Sequence, residues 1–226
     1  MAGLEVEVVP DADALAARAA TFVAARAREA VADHGRFAFA VSGGRTPWAM
    51  FADLGNEDVP WEAIELYQVD ERVAPHGDHD RNLTQLEASL PAGRSAGSGG
   101  PTIHAMPVEE GDLEAAATGY AAELPDRFDL VHLGLGPDGH TASLVLGDPV
   151  LDVTDRAVAM TAEYDGRRRM TLTYPALTRT DEVMWLVAGA DKVDALRRLL
   201  AGDRAIPGAR VAATRQIVFA DRAAAG

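Results

Sequence analysis

Phe37-Ala38-Phe39-Ala40-Val41 runs directly into Ser42-Gly43-Gly44-Arg45-Thr46-Pro47. The first five residues read as a buried strand. The next five read as a glycine-rich loop, and Pro47 suits a first helical turn, where its missing N–H leaves no bond unmade. Strand, glycine loop and helix make a βα unit. Two glycines let backbone approach a ligand closely, and the free N–H groups and dipole of a helix start favour a phosphate. A plain βα turn would look much the same, so the loop alone does not decide function.

The alternation extends in both directions. Asp11–Asp33 is Ala-rich, with Leu15, Phe22, Val23 and Val31 at roughly helical spacing, and predicts an amphipathic helix with an aspartate cap. Downstream, strands are predicted at Ile64–Val69, from Ile103, and at Asp129–Leu135, Ala157–Thr161, Met170–Thr173, Val183–Val187 and Gln216–Ala220. Helices are predicted at Asn82–Leu90, Asp112–Leu124 and Ala190–Leu200, and a helix start near Thr141. Pro91–Pro101, with Gly93, Gly97, Gly99 and Gly100, predicts a mobile loop rather than a domain linker. Strands alternating with helices predict an α/β fold of three layers, a mostly parallel sheet flanked by helices. At 226 residues the chain suits a single domain, 1–226. In such folds ligands sit at the carboxyl ends of strands. Ser42–Thr46, Asp70–Arg72 and Gly134–Thr141 all fall at predicted strand ends.

The net charge is −14, which disfavours nucleic acid or an anionic membrane as partner. No cysteine is present, so disulfides, thiolate nucleophiles and Cys-based metal sites are excluded. Met1–Pro10 carries Glu5 and Glu7 and does not read as a signal peptide. No apolar run approaches the ~20 residues that span a bilayer. The expected place is the cytoplasm.

Several polar segments are candidates for chemistry. Asp70-Glu71-Arg72 would in isolation be a surface ion pair, but its place after a strand aims Asp70 at the sheet crest and offers Arg72 to a phosphate. Pro75-His76-Gly77-Asp78-His79-Asp80 has the composition of a metal cluster. Its spacing fits no standard ligand set, so a solvated loop is expected, and neither a metal nor a cofactor. Gly134-Leu135-Gly136-Pro137-Asp138-Gly139 fits G-x-G-x-x-G literally, yet Pro137 and Asp138 fill the turn and the segment lies mid-chain. It reads better as a turn presenting Asp138 and His140, histidine being the side chain suited to proton exchange near neutral pH. No Gly-x-Ser-x-Gly elbow and no Walker sequence occurs. In so acidic a chain, Arg45, Arg72, one of Arg167–Arg169 and Lys192 are the natural sources of a local positive pocket.

Taken in order, Ser42-Gly43-Gly44-x-Thr46-Pro47, Asp70-Glu71-Arg72 with Asn82 downstream, Gly134-x-Gly136-x-Asp138-Gly139-His140-Thr141-Ala142-Ser143-Leu144, Arg169-Met170-Thr171-Leu172 and Gly189-x-x-Lys192 resemble the 6-phosphogluconolactonase family. The resemblance implies a sugar-phosphate isomerase-like fold. It also implies hydrolysis of 6-phospho-D-glucono-1,5-lactone to 6-phosphogluconate, the second step of the oxidative pentose phosphate pathway. The chain departs from the family at Val145-Leu146-Gly147, where Phe-Pro is usual, at Thr178, where Asn is common, and at Arg81, usually Ser.

On this resemblance His140 is expected to activate a water, with Asp138 or Asp70 holding the imidazole. Ser42, Gly43, Gly44, Arg45, Thr46, Arg72, Asn82, Arg169 and Lys192 are expected to bind the substrate and its phosphate. The partner is then a small phosphorylated sugar lactone, and the chain a monomer or weak homo-oligomer. Glucosamine-6-phosphate deaminase shares the Asp-Gly-His turn but follows it with a segment supplying Glu; Thr141-Ala142-Ser143-Leu144 supplies none. A non-catalytic sugar-phosphate-binding domain would keep the phosphate loop and have no need of His140.

Overall fold

A computed structural model describes residues 4–92, 94 and 99–226. The elements alternate along the chain as β1 (Glu5–Val9), α1 (Ala12–His34), β2 (Phe37–Val41), α2 (Arg45–Leu54), β3 (Ile64–Gln68), β4 (Asp70–Arg72), α3 (Asn82–Ser89) and β5 (Thr102–His104). They continue as α4 (Leu113–Glu123), β6 (Phe128–Gly134), β7 (Val158–Met160), β8 (Arg169–Leu172), α5 (Tyr174–Leu177), β9 (Thr180–Val187), α6 (Val193–Leu200), β10 (Arg215–Asp221) and α7 (Arg222–Ala225).

Seven strands form one parallel sheet in the order β1-β10-β9-β6-β2-β3-β5. Its central strands are buried on both faces, which is why β2 is the unbroken apolar run Phe37–Val41. On one face Leu15 and Phe22 of α1 and Met50 and Phe51 of α2 pack on Phe37, Phe39 and Phe219. On the other, Tyr67, Val131, Leu133 and Trp185 meet Tyr120 of α4 and Met170 and Leu172 of β8. Three layers result, as the alternation predicts.

The structure corrects four local expectations. Residues 70–72, 158–160 and 169–172 do not extend the parallel sheet; they pair as a separate antiparallel sheet, β4-β8-β7. Its tie to the large sheet is one residue, Val69, whose N–H donates to Val41 O and whose carbonyl accepts from Leu172 N. The edge strand β1 is absent from the predicted strands, although Glu5-Val6-Glu7-Val8 alternates with the period of a strand. No helix starts at Thr141: Ala142 has a φ of 51°, outside the helical basin, and Leu144 N bonds back to Thr141 O as a turn. The helix expected over 190–200 begins as a 3₁₀ turn, Ala190–Lys192, before α6. Of the loop expected over 91–101, Gly93 and residues 95–98 lie outside the described residues. No helix among the described residues is long and apolar enough to cross a membrane.

Candidate active site

The connection leaving β2 runs towards β3, while β6 lies on the other side of β2. The chain after β6 leads on, through β7 and β8, to β9. Loops departing in opposite directions open a crevice above the strand ends, the usual ligand position in such sheets. A cleft of about 630 Å³ lies there. Ser42, Gly43, Gly44, Arg45, Thr46, Asp70, Arg72, Asn82, His140, Arg169 and Lys192 all line it. Asp138 is the one expected site residue outside the lining, and it touches the cleft through His140.

The turn after β6 is closed by Gly136 N donating to His140 O and Gly139 N to Gly136 O. These bonds set His140 Nδ1 2.6 Å from Asp138 Oδ1, and Asp138 Oδ1 also accepts the His140 backbone N–H. Partial burial would raise the Asp138 carboxyl. The backbone N–H, charge and ring of His140 together outweigh that and hold it below the ordinary carboxylate value. A carboxylate can only accept, so the Nδ1 facing it is the donor, and in the neutral tautomer this leaves the lone pair on Nε2. A Cβ on Gly136 would overlap the imidazole, so this close approach requires glycine. Asp70 has other partners: Ser143 Oγ donates to it at 2.5 Å, and Asn82 Nδ2 donates to its carbonyl at 2.8 Å.

Glu71, fully buried, organises the neighbouring wall. It accepts from the backbone N–H groups of Arg72, Asn82 and Leu83 and from the side chains of Gln68 and Arg81. A carboxylate at the first turn of α3 suits its dipole. The buried Arg81, standing where the resembled family usually has Ser, also pairs with Glu109 and so supplies Glu71 with a counter-charge. Asn82 in turn accepts from Arg72 and lies so close to Gly43 that a Cβ there would overlap Asn82 Oδ1.

Four cations therefore face the cleft: Arg45, Arg72, Arg169 and Lys192. Only Lys192 is ion-paired within the chain among the described residues, to Asp191 at 3.1 Å. Of the three consecutive arginines, Arg167 turns to Asp78 and Asp80 and Arg168 to Glu114, leaving Arg169 to the cleft. The Asp78-His79-Asp80 carboxylates are thus occupied by Arg167. The acidic chain carries a local positive patch, with α2 beginning at Arg45 and the N–H groups of residues 43–46 beside it.

Among the lining residues that escaped the sequence reading, His132 and Asp221 have defined roles in the wall. His132, fully buried under the Ser42 loop, accepts the Ser42 N–H at Nδ1. Its Nε2 therefore carries the proton, and that donor has no partner. Burial holds its pKa down at about 3, so it is neutral. It sits inside an apolar strand run with no motif around it. Asp221 ends β10, caps α7 through Ala224 N and accepts the Gly189 N–H, fixing the loop that carries Lys192. A helix-cap pattern at 221–224 was the available signal. Ser42 Oγ, His132 Nε2 and Arg169 Nε, all on cleft residues, are three of the four buried side-chain polar atoms without a partner among the described residues. Polar atoms left open at a concave surface mark where a ligand or water completes them.

Residues 10–219 match the family described as glucosamine-6-phosphate isomerases/6-phosphogluconolactonase. The chain is 35% identical over 213 residues to a 6-phosphogluconolactonase of Synechocystis sp., covering 87% of this chain and 85% of that one. It is 37% identical over 183 residues to one of Caulobacter vibrioides, covering 77% and 76%. Among solved structures, the 6-phosphogluconolactonase of Thermotoga maritima superposes with a TM-score of 0.83 at 24% identity, over 97% of this chain and 100% of that one. A monomeric glucosamine-6-phosphate deaminase superposes with a TM-score of 0.84 at 18% identity, over 98% and 99%. The fold is thus common to both activities. By the match over 210 of its residues (10 to 219), this chain belongs to the glucosamine-6-phosphate isomerase/6-phosphogluconolactonase family.

Proposed function

We propose that this protein hydrolyses 6-phospho-D-glucono-1,5-lactone to 6-phospho-D-gluconate, the second step of the oxidative pentose phosphate pathway. The observation that carries the reading is the His140–Asp138 pair at 2.6 Å on the rim of a cleft lined by four cations. The named lactonase relatives support it. So does the turn after His140, where Thr141-Ala142-Ser143-Leu144 offers no acid of the kind a deaminase uses.

A lactone is an activated ester and needs no covalent nucleophile. With its Nδ1 proton held by Asp138, His140 takes a proton from water at Nε2 as the water oxygen bonds to the lactone carbonyl carbon. The carbonyl becomes a tetrahedral oxyanion, steadied by a cleft cation or N–H groups. The bond from that carbon to the ring oxygen then breaks, and His140 returns its proton to the departing oxygen. The product is the open-chain hydroxy acid. Arg45, Arg72, Arg169 and Lys192, with the N–H groups of Gly43 and Gly44 and the hydroxyls of Ser42 and Thr46, hold the phosphate. Binding energy at this remote group positions the carbonyl. Asp70 and Asn82 shape the wall between the two ends through Ser143 and Arg72.

General-base catalysis typically contributes about 10²–10⁴-fold. His140→Ala is expected to lose kcat by that order on freshly prepared lactone, measured in a dehydrogenase-coupled assay above the spontaneous rate. Wild-type kcat in that variant removes the assignment. Release of ammonia from glucosamine 6-phosphate by the wild type would replace the lactonase reading with the deaminase one.

A further inference from the structure

Arg169 is nine-tenths buried, yet no carboxylate lies within ion-pair distance of it among the described residues, and its Nε has no partner. Burial lowers its pKa. What covers it is the ring of Tyr164, whose centroid lies 4.9 Å from the guanidinium carbon. The same ring meets the His140 imidazole edge-to-face, with centroids 6.0 Å apart and planes at 65°. The Tyr164 hydroxyl makes no hydrogen bond among the described residues, so within the protein its contacts to Arg169 and His140 are made by the ring.

Tyr164 is itself held firmly. It opens the hairpin between β7 and β8, where Asp165 and Gly166 have φ of 54° and 75° and Tyr164 N donates to Arg167 O. Positive φ at both central residues belongs to the tight turns that match strand twist. Arg167, bonded to Asp78 and Asp80, pins the hairpin from outside.

We propose that Tyr164 is a positioning residue for the lactone hydrolysis proposed above: its ring holds the Arg169 guanidinium and the His140 imidazole at a fixed separation. The proposal rests on that reading of the site. An aromatic face attracts a guanidinium without neutralising it. A carboxylate in the same place would hold Arg169 equally well and would then compete with the anionic substrate. Tyr164 thus keeps a cation in place with its charge free for an incoming anion. Because the same ring abuts the imidazole, it fixes the distance from anion to base, the quantity that a reacting geometry demands.

The experiment compares Tyr164→Phe, Tyr164→Leu and Tyr164→Ala with wild type, reading kcat and KM on the lactone, Kd for 6-phosphogluconate by calorimetry, and Tm. The expected result is that Tyr164→Phe stays within about twofold of wild type in all three constants. Tyr164→Leu and Tyr164→Ala are expected to raise KM and Kd about tenfold, as loss of a desolvated cation–π contact does, and to lower kcat by a similar factor, with Tm little changed. Unchanged KM, Kd and kcat in either non-aromatic variant overturns the proposal. So does a Phe variant as impaired as Leu, since that assigns the role to the hydroxyl. His140→Ala run in parallel separates the two readings. If it keeps wild-type kcat, the hydrolytic reading falls. If it loses kcat while the non-aromatic Tyr164 variants behave as wild type, only the Tyr164 proposal falls.

Discussion

Asp138 Oδ1 and His140 Nδ1 meet at 2.6 Å although only one residue separates them, and the pair rests on the bare Cα of Gly136. The carboxylate and the imidazole therefore come from one turn, and no domain or loop movement is needed to bring them together. Asp138→Asn keeps the shape of the side chain and removes the charge that fixes the tautomer. Steady-state assay is expected to show kcat reduced about 10²-fold or more with KM changed little. Gly136→Ala, which displaces the imidazole, is expected to match it. A kcat within threefold of wild type in Asp138→Asn would leave the pair without a catalytic role.

Gly43 and Asn82 make the second close approach. A Cβ at residue 43 overlaps Asn82 Oδ1, the atom that accepts from Arg72. Gly43→Ala must push Asn82 away and release Arg72 from its position. Calorimetry with 6-phosphogluconate is expected to show at least about tenfold weaker binding, the loss of one charge-assisted contact. Circular dichroism should show the fold retained. Unchanged affinity would detach this loop from the proposed phosphate site.

Glu71 accepts from five N–H donors in a dry setting. Glu71→Gln turns two of its four lone-pair directions into donors facing donors and leaves Arg81 less well compensated. Urea unfolding is expected to show a loss of about 3 kcal/mol. Retained stability would mean that the network relaxes by admitting water.

His132 gives a pH test with a definite sign. Its folded pKa of about 3 lies below the ordinary value of about 6.5. The unfolded chain therefore binds the extra proton first, and stability is lost as pH falls through the window between the two values. From pH 6.5 to 5 this one group contributes a loss of roughly 2 kcal/mol. His132→Leu should flatten that part of the stability profile, measured by urea midpoints at each pH. An unchanged slope would show that other groups dominate the acid response.

Much of the fold was legible because strand and helix periods differ so plainly here. Phe37–Val41 and the Leu15, Phe22 and Val31 spacing each permit one reading. Ser42–Thr46, Asp70, Arg72, His140 and Lys192 are legible from their placement near strand ends, whereas Asn82 is reached only through the family resemblance and Arg169 only as one of three consecutive arginines. What stayed hidden were the features set by pairing across long sequence distance. Residues 70–72 and 169–172 are too short to announce that they pair with each other rather than join the main sheet. The aspartate beside His140 was undecided between Asp70 and Asp138, because both fall at strand ends and only the turn geometry separates them. His132 reads as one more residue of an apolar strand, and Tyr164 carries no signal of its own, since neither burial nor stacking leaves a mark in local composition.

The small sheet has a consequence in time rather than in space. Arg72 and Arg169 reach the cleft only when Asp70–Arg72 pairs with Arg169–Thr171, segments about a hundred residues apart in the chain. Closing so long a loop is slow compared with forming local turns and helices. A refolding molecule that has assembled its large parallel sheet but not this pairing would be compact, rich in secondary structure and without two of the four cations of its cleft. Recovery of enzymatic turnover should therefore trail recovery of the far-ultraviolet signal when unfolded chains are diluted into buffer.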